Sequence, residues 1–328
     1  MSLQNKKVLL IVPRFYGYDE LIQKALMGKC SKVYKIFENR DWVNVWHRFI
    51  YVYMPLKKEK MLYNFYVNQI NKCDKDIDLV FVIRGSSLSQ EIMGYMKKYF
   101  SSKCQYIMYQ WDGIENNKSV MHIKDYFDKI FTFDINDSKK YGWIYRPLFY
   151  DKEMLVDIQK EIDITFLCSL HSQRVAVLKK LKEINRERNL SFFCHMYTNY
   201  FLFIKNKYFA KKTEYMDSRL SDIAFKPLSL KKTYEIFAKS RIVIDYTHPR
   251  QTGYTMRTIE ALVNRCKIIT NNRYIANADF YNKNNIYLYD GINVDIPQNF
   301  INSEYQEISS DVLDYYSLNG WIKSILED

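Results

Sequence analysis

The chain lacks the patterns that mark several large classes of protein. It holds only 9 Gly and 6 Pro among 328 residues, while 48% are hydrophobic, a balance typical of a folded globular protein and not of a disordered one. No run reaches 18 apolar residues, and the first apolar run, Val8–Val12, is too short for the core of a signal peptide. Six cysteines form no C-x-x-C pair, which favours free thiols in a reducing compartment. We therefore expect a cytoplasmic protein.

Motifs for nucleic acids and for metals are missing as well. No zinc-finger spacing, RNA-binding aromatic signature or basic zipper helix accompanies the net charge of +12. The histidines have neither an i, i+4 partner nor an acidic ligand pattern beside them, so we expect no metal site and no bound cofactor. The positive charge instead favours a phosphorylated substrate or an anionic membrane surface as partner, and no nucleic acid. The five histidines are His47, His122, His171, His195 and His248.

Short apolar runs alternate with helical stretches along the chain, which predicts strand–helix–strand units with mainly parallel sheets. The charged stretch Asp151–Glu161 suits a linker between two such series. We predict an α/β fold with two doubly wound Rossmann-like domains facing each other across a cleft, at residues 1–155 and 156–308. Residues 309–328 should form an amphipathic helix that packs back on the body. The predicted strands are Val8–Val12, Leu79–Ile83, Tyr106–Tyr109, Lys129–Phe133, Ile164–Cys168, Phe192–His195, Asp222–Phe225, Arg241–Tyr246, Lys267–Thr270 and Ile286–Tyr289; the predicted helices include Ser87–Tyr99, Leu230–Ala238, Met256–Val263 and Asp311–Leu326.

The segment 242–272 carries most of the candidate chemistry. A buried strand ends at Asp245, a polar loop passes Gly253, and a helix begins near Thr255. Glycine before a helix start lets backbone N–H groups approach a phosphate, and a cation in the first turn, Arg257, is unfavourable to the helix dipole unless an anion binds there. Glu260 shares a face with Arg257 and could accept hydrogen bonds from a ribose diol. A surface ion pair on an ordinary helix explains the same spacing equally well.

The succession strand–Gly-x-x-x-Arg-x-x-Glu-Ala–strand–Thr-Asn resembles the donor half of GT-B glycosyltransferases. Within that fold it is similar to the bacterial group acting on capsular polysaccharide and lipopolysaccharide, related to spore-maturation-type (CgeB-like) transferases. Three further stretches fit the same order and extend the resemblance over roughly residues 80–290. They are Tyr109–Asp112, Phe127–Asp134 and Asp163–Ser169 with Arg174 after it.

The resemblance implies a transfer of sugar from a nucleotide-diphosphate donor to a glycan or lipid-linked glycan acceptor, without a metal ion. It implies that Glu260 binds the donor ribose, that Arg257 or Arg174 compensates the diphosphate, and that Ser169 and His171 line the neighbouring loop. Many retaining GT-B enzymes carry a second glutamate eight positions earlier, where this chain has Thr252, so the stereochemical outcome stays open. A non-catalytic nucleotide- or glycan-binding protein and a nucleotide-sugar epimerase are the alternatives.

The first half should hold the acceptor. Asp112 directly follows a strand, where a general base would lie, although Asp112-Gly113 also suits a plain turn. Asp134 and Asp137 are rival bases, and helix capping is the other explanation for both. Two further candidates rest on position alone, the stretch Arg84–Ser86 after one strand and Arg14–Tyr18 after another.

Two basic stretches suggest contact with a membrane. Trp42–Tyr66 interleaves eight aromatic residues with Arg48 and three lysines, a composition that suits an anionic membrane surface and equally a buried helix with a solvated turn. Lys205–Lys212 is a second basic cluster, which a solvated loop explains.

Overall fold

The computed structural model describes residues 2–38, 55–248, 251–291 and 294–327. The chain forms two compact units. Unit 1 comprises Met1–Pro147 with Leu318–Asp328, and unit 2 comprises Leu148–Ser317. Each unit is a doubly wound α/β structure, which confirms the predicted fold class.

Unit 1 contains a six-stranded sheet in the order β2-β1-β3-β4-β5-β6, and every neighbouring pair is parallel. The central strand β3 (Leu79–Ile83) is buried along its whole length, as expected when helices cover both faces of a parallel sheet. The other strands are β1 (Lys7–Val12), β2 (Lys32–Phe37), β4 (Gln105–Gln110), β5 (Lys129–Thr132) and β6 (Ile144–Tyr145), and the helices of this part of the chain are α1 (Tyr18–Met27), α2 (Pro55–Ile70), α3 (Gln90–Tyr99) and α4 (Ile135–Tyr141).

Unit 2 contains a second parallel sheet, in the order β12-β11-β10-β7-β8-β9. If β7 is counted as the first strand of the unit and the sheet is followed from β9 to β12, the order is 3-2-1-4-5-6, which is that of dinucleotide-binding folds. The first and fourth strands, β7 and β10, lie side by side at the centre. The strands are β7 (Ile162–Ser169), β8 (Phe192–Tyr197), β9 (Ile223–Ala224), β10 (Ser240–Asp245), β11 (Lys267–Thr270) and β12 (Ile286–Leu288); the helices are α5 (Arg174–Glu187), α6 (Tyr200–Ile204), α7 (Thr213–Met216), α8 (Leu230–Lys239), α9 (Met256–Val263), α10 (Gln298–Asn302) and α11 (Ser310–Tyr316).

The C-terminal segment differs from the single helix predicted for 311–326. It breaks at Ser317, and α12 (Leu318–Ile322) then continues into a π-helical turn, Lys323–Glu327. Trp321 is 0% exposed, and its ring centroid lies 4.7 Å from that of Tyr109 and 5.9 Å from that of Phe81. The segment therefore completes the core of unit 1 on the sheet face that carries these two rings.

The division between the units also differs from the predicted boundaries at residues 155 and 309. The backbone N–H of Tyr150 donates to the carbonyl of Tyr316 at 2.9 Å, and that of Asp151 donates to the hydroxyl of Tyr234 at 3.1 Å. These contacts place the stretch after Pro147 in unit 2, ahead of the charged segment that the sequence suggested as linker.

Candidate functional site

The centre of the unit 2 sheet is a topological switch point. The chain leaves β7 toward β8 on one side and leaves β10 toward β11 on the other, although β7 and β10 are paired neighbours. Diverging connections open a crevice at the carboxyl ends of such strands, where ligands of doubly wound folds bind. Ser169 ends β7 and Asp245 ends β10, so the predicted donor residues on both loops reach the same edge.

Arg174 joins the two loops at this edge. It is the first residue of α5 and is only 5% exposed. Its Nη1 donates to the Ser169 carbonyl at 3.1 Å and its Nη2 to the Tyr246 carbonyl at 2.7 Å. Burial lowers the pKa of the guanidinium, but arginine remains protonated in proteins, so a buried positive charge sits at the switch point.

His171 is held in one tautomer by that arginine. Its Nε2 lies 2.6 Å from Nη1 of Arg174, and because a guanidinium can only donate, Nε2 must accept. The proton is therefore on Nδ1, which lies 3.0 Å from the Ser172 hydroxyl. Burial, followed by the charges of Arg174, His248 and Arg257, lowers the pKa of His171 to about 3. The ring is consequently a neutral donor–acceptor at physiological pH.

The loop between β10 and α9 is fixed from inside the unit. Asn272 Nδ2 donates to the carbonyls of Thr252 and Gly253 at 3.3 Å and 3.2 Å. Thr255 caps α9, since its hydroxyl accepts from the Thr258 N–H at 3.2 Å. Gly253 is buried, as expected for a loop whose backbone approaches a helix start.

Asp245 is used to hold the start of α9. Its Oδ2 accepts from the hydroxyls of Thr255 at 3.0 Å and Thr258 at 2.6 Å. The carboxylate is 2% exposed. We therefore assign it a positioning task and no direct part in chemistry.

Arg257 and Glu260 lie one turn apart on α9. Arg257 is half-buried, and its charge is close enough to lower the pKa values of both His171 and Arg174. Glu260 is 1% exposed, and its charge is the second cause, after burial, of the raised pKa of Tyr234 on α8. The structure thus brings Arg174, His171 and Arg257 together, and it places Glu260 deeper, along the packing of α8 and α9.

Asp112, the predicted base in unit 1, is ion-paired. Its Oδ2 lies 3.2 Å from Nε of Arg84, and its side chain is 43% exposed. Partial burial of the carboxyl raises its pKa, and the Arg84 guanidinium opposes the increase.

Arg84 and Gly85 both adopt left-handed backbone conformations, with φ of 76° and 71°. The carbonyl of Arg84 accepts from Gln110 Nε2 at 2.6 Å and from Asn117 Nδ2 at 2.9 Å. A non-glycine residue in this region costs of order 1 kcal/mol or more, and such residues cluster at functional sites. The strained turn presents the Arg84 side chain to Asp112.

Glu38 clamps the same turn and was missed by sequence reasoning. Its carboxylate accepts from the N–H groups of Gly85 at 3.1 Å and Ser87 at 2.9 Å, and from the Ser86 hydroxyl. It is 4% exposed, and burial raises its pKa against the lowering effects of the Ser86 hydrogen bond and the Arg84 charge. The residue follows β2, a strand that sequence patterning missed because lysines interrupt its apolar residues.

The two rival acids, Asp134 and Asp137, both accept hydrogen bonds from backbone N–H groups. Asp134 caps α4 by accepting from the N–H groups of Asn136 and Asp137 at 3.0 Å and 3.1 Å, which confirms the capping interpretation. Asp137 in turn accepts from the N–H of Ile114 at 2.8 Å.

The stretch 74–78 contains two overlapping Asp-x-Asp triplets, which were not among the sequence-based candidates. They precede β3, at the end of the sheet opposite to the strand carboxyl ends, and their carboxylates pair with lysines. Lys7 Nζ lies 3.1 Å from Asp74 and 2.8 Å from Asp76, and Lys6 Nζ lies 3.8 Å from Asp78. Within the ranges that the structure describes, no group of three His, Cys, Asp or Glu side chains is arranged to hold a metal ion.

The proposed membrane stretch falls largely outside the described residues. Positions 39–54 are among those not described, and α2 covers the remainder of Trp42–Tyr66. Arg250, which the sequence also offers as a cation for the leaving diphosphate, lies outside them as well. No helix among the described residues combines the length and apolarity needed to cross a membrane.

Comparisons with known proteins agree on the fold. No protein-family model matches the chain, and no curated protein sequence is significantly similar to it. The structure is similar to Anabaena Alr3699/HepE in complex with UDP and glucose, with a TM-score of 0.59 at 10% identity over 99% of this chain and all of that one. It is also similar to a glycosyltransferase from Rickettsia africae ESF-5, with a TM-score of 0.51 at 13% identity over 98% and 97% of the two chains. A UDP-GlcNAc 2-epimerase from Neisseria meningitidis bound to UDP-GlcNAc gives a TM-score of 0.51 at 11% identity, covering 98% of each chain. At such identities the likeness shows that the chain shares the two-unit Rossmann-like fold of these proteins.

Proposed function

We propose that this protein is a glycosyltransferase that moves a sugar from a nucleoside-diphosphate donor to a surface-polysaccharide or lipopolysaccharide acceptor, without a metal ion. The observation that carries the proposal is the cluster of Arg174, His171 and Arg257 at the switch point of unit 2. A buried guanidinium and a half-buried one, beside the N-terminus of α9, suit a diphosphate. A leaving nucleoside diphosphate needs such positive charge when no metal ion neutralises it.

The donor would occupy the carboxyl edge of β7 and β10. Arg174 and Arg257 compensate the diphosphate, and Ser169 and His171 line the loop after β7. The backbone at Gly253 approaches the phosphates, and Glu260 receives the ribose hydroxyls. The similar structures that hold UDP and glucose or UDP-GlcNAc support this class of ligand.

Donor binding is tested most sharply at Arg257, because its half-exposed position allows substitution without opening the core. Arg257→Gln should weaken UDP binding about tenfold or more, since a hydrogen bond to a charged group contributes about 1.5–3 kcal/mol. Arg241→Gln is the matched control: this arginine is the second residue of β10, at the amino ends of the strands and away from the proposed site, and is 66% exposed. Titration calorimetry of UDP and of uridine should show the loss for UDP alone. If the two variants bind UDP with equal affinity, Arg257 does not contact the diphosphate.

Glu260 is tested separately through the ribose. Glu260→Gln should weaken binding of UDP and of uridine by the same factor, because both carry the diol. A loss confined to UDP would take Glu260 out of ribose binding.

We further propose that Asp112 takes the proton from the acceptor hydroxyl. Asp112→Asn should reduce kcat by about 10²–10⁴, the usual contribution of a general base, and leave donor affinity unchanged. Asp125→Asn is the control, because that carboxylate is 83% exposed and forms an ion pair with its neighbour Lys124. Arg84→Gln removes the charge that lowers the pKa of Asp112, so the acid limb of the rate profile should move to higher pH. A profile that stays in place would show that another group is the base.

Product analysis separates the alternatives. The ion pair of Asp112 with Arg84 favours a non-catalytic binding protein as the second candidate, since the proposed base is engaged by a cation. Incubation with UDP-sugars and acceptor glycans should release UDP and extend the glycan. Binding without turnover would support the second candidate, and a change of configuration in the unbroken nucleotide sugar would identify an epimerase.

A further inference from the structure

The connection between β8 and β9 carries the largest group of exposed apolar side chains among the described residues. Phe201 and Phe209 are each 79% exposed, more than any other large hydrophobic side chain described. Five others in the same segment are between 46% and 58% exposed. They are Tyr200, Leu202, Tyr208, Met216 and Leu220. Apolar side chains exposed in such a group indicate an interaction surface, whereas single ones are ordinary.

These side chains are exposed on a well-anchored support. Phe203 and Asn206, three positions apart on the continuous helical stretch 200–209, are 1% and 5% exposed and face the core. Tyr215 is 4% exposed and donates its hydroxyl proton to the Leu170 carbonyl at 3.2 Å. Asn199 caps α6 by accepting from two backbone N–H groups. The segment therefore has an inner face packed on unit 2 and an outer face that presents the aromatic rings.

Basic residues surround the aromatic ones. Segment 199–220 contains four lysines and one arginine against two acidic residues. Lys207 is tied to the Ser218 carbonyl at 2.9 Å, whereas Lys205, Lys211, Lys212 and Arg219 are exposed. On the stretch 200–209 the exposed positions 201, 205 and 208 recur at helical spacing, so aromatic rings and a lysine share the outer face. Aromatic side chains with adjacent lysines are the composition of segments that lie in the interface of an anionic bilayer.

We infer that segment 199–220, which we name the β8–β9 surface, docks unit 2 on an anionic lipid bilayer. Phe201 and Phe209 enter the headgroup region, and Lys205, Lys211 and Lys212 contact the lipid phosphates. The positive charge of the surface favours this occupant over a second copy of the same basic chain. Such docking deepens the proposed function, on which it rests, because it would hold the chain at the bilayer where a lipid-linked acceptor lies. Vesicle binding is measured without donor, so the two proposals can fail separately.

Vesicle flotation tests the inference with the full chain. We expect binding to vesicles of phosphatidylcholine with 30% phosphatidylglycerol (about one lipid in three), weak binding to phosphatidylcholine alone, and release as salt screens the charges. Phe201→Ser with Phe209→Ser should reduce binding at least tenfold. Lys205→Glu with Lys212→Glu should reduce it more than twentyfold, from roughly fivefold for each cation near the surface. All four side chains are exposed, so the variants should fold as the wild type does, which circular dichroism checks.

Matched controls lie at the other edge of the same sheet. Tyr281 is 36% exposed and Lys283 is exposed, both in the connection between β11 and β12. Tyr281→Ser and Lys283→Glu should leave binding unchanged. The inference is overturned if the wild type binds no vesicle, if the β8–β9 variants bind as well as the wild type, or if sedimentation shows that the phenylalanines mediate self-association instead. UDP binding measured on the same variants should equal that of the wild type. If the wild type binds no UDP, that result counts against the proposed donor site and not against the docking surface.

Discussion

His171 offers the sharpest test of the cationic cluster, because its neutrality follows from contacts that no single loop contains. The unfolded chain has a histidine pKa of 6.5, and the folded unit holds that of His171 at about 3. Between these values the unfolded state binds more protons, so acidification favours unfolding. Linkage gives a loss of about 2 kcal/mol between pH 7 and pH 5 from this residue alone, as an upper estimate.

His171→Gln is the appropriate change, because the glutamine Oε1 replaces Nε2 as acceptor for Arg174 and does not titrate. The wild type should lose about 2 kcal/mol more stability than the variant between pH 7 and pH 5. Urea unfolding followed by far-UV circular dichroism measures this difference. No tryptophan falls within the residue range of unit 2, 148–317, so circular dichroism is needed to follow that unit.

His122→Gln, a change at an exposed position of unit 1, is the matched control for the loss of one imidazole. If wild type and His171→Gln lose the same stability on acidification, His171 is protonated in the folded chain and the assigned tautomer is wrong. Saturating UDP extends the test. An anion beside Arg174 and Arg257 favours the protonated ring and raises its pKa, so the difference between wild type and variant should shrink.

Two further predictions concern unit 1. Gly85→Ala should lower the free energy of unfolding by about 1–3 kcal/mol, because φ is +71° and the new Cβ would lie 3.3 Å from Val82 Cγ1. Gly94→Ala is the control. This glycine lies inside α3 with open space around it, so the change should raise the free energy of unfolding by about 0.5–1 kcal/mol. Trp321→Ala should lower the free energy of unfolding by about 3–5 kcal/mol, whereas Tyr315→Ala, at a position 39% exposed, should change it little. If the unfolding transition followed by tryptophan fluorescence does not move in the Trp321 variant, the C-terminal segment does not stabilise unit 1.

Local pattern was sufficient for the sheets but not for their edges. β3 is an unbroken apolar run and β10 has three apolar residues at its centre, and each strand was predicted within one residue of its observed bounds. β2 alternates lysines with apolar residues and is half exposed at the sheet edge, so its composition resembles a loop. β6 is two residues long and owes its existence to pairing with β5.

The candidate site residues were likewise predictable where a local pattern places them and not where a distant contact does. Arg174, Gly253, Arg257 and Glu260 could be placed after particular strands, because ligands of parallel sheets gather at strand carboxyl ends. The buried clamp at Glu38 could not, since its donors at Gly85 and beyond lie 47 residues away along the chain.

The sequence by itself determined two parallel α/β units and the strand after which each candidate residue falls, and it offered Asp134 as a helix cap, because apolar periodicity and capping chemistry act over a few residues. Only the tertiary structure decided which charges meet. The contact of Arg174 with Tyr246 spans 72 residues, and the neutral state of His171 depends on it, on burial and on Arg257 together. Such a site is a property of the sheet order, which brings β7 and β10 side by side and which no local pattern contains.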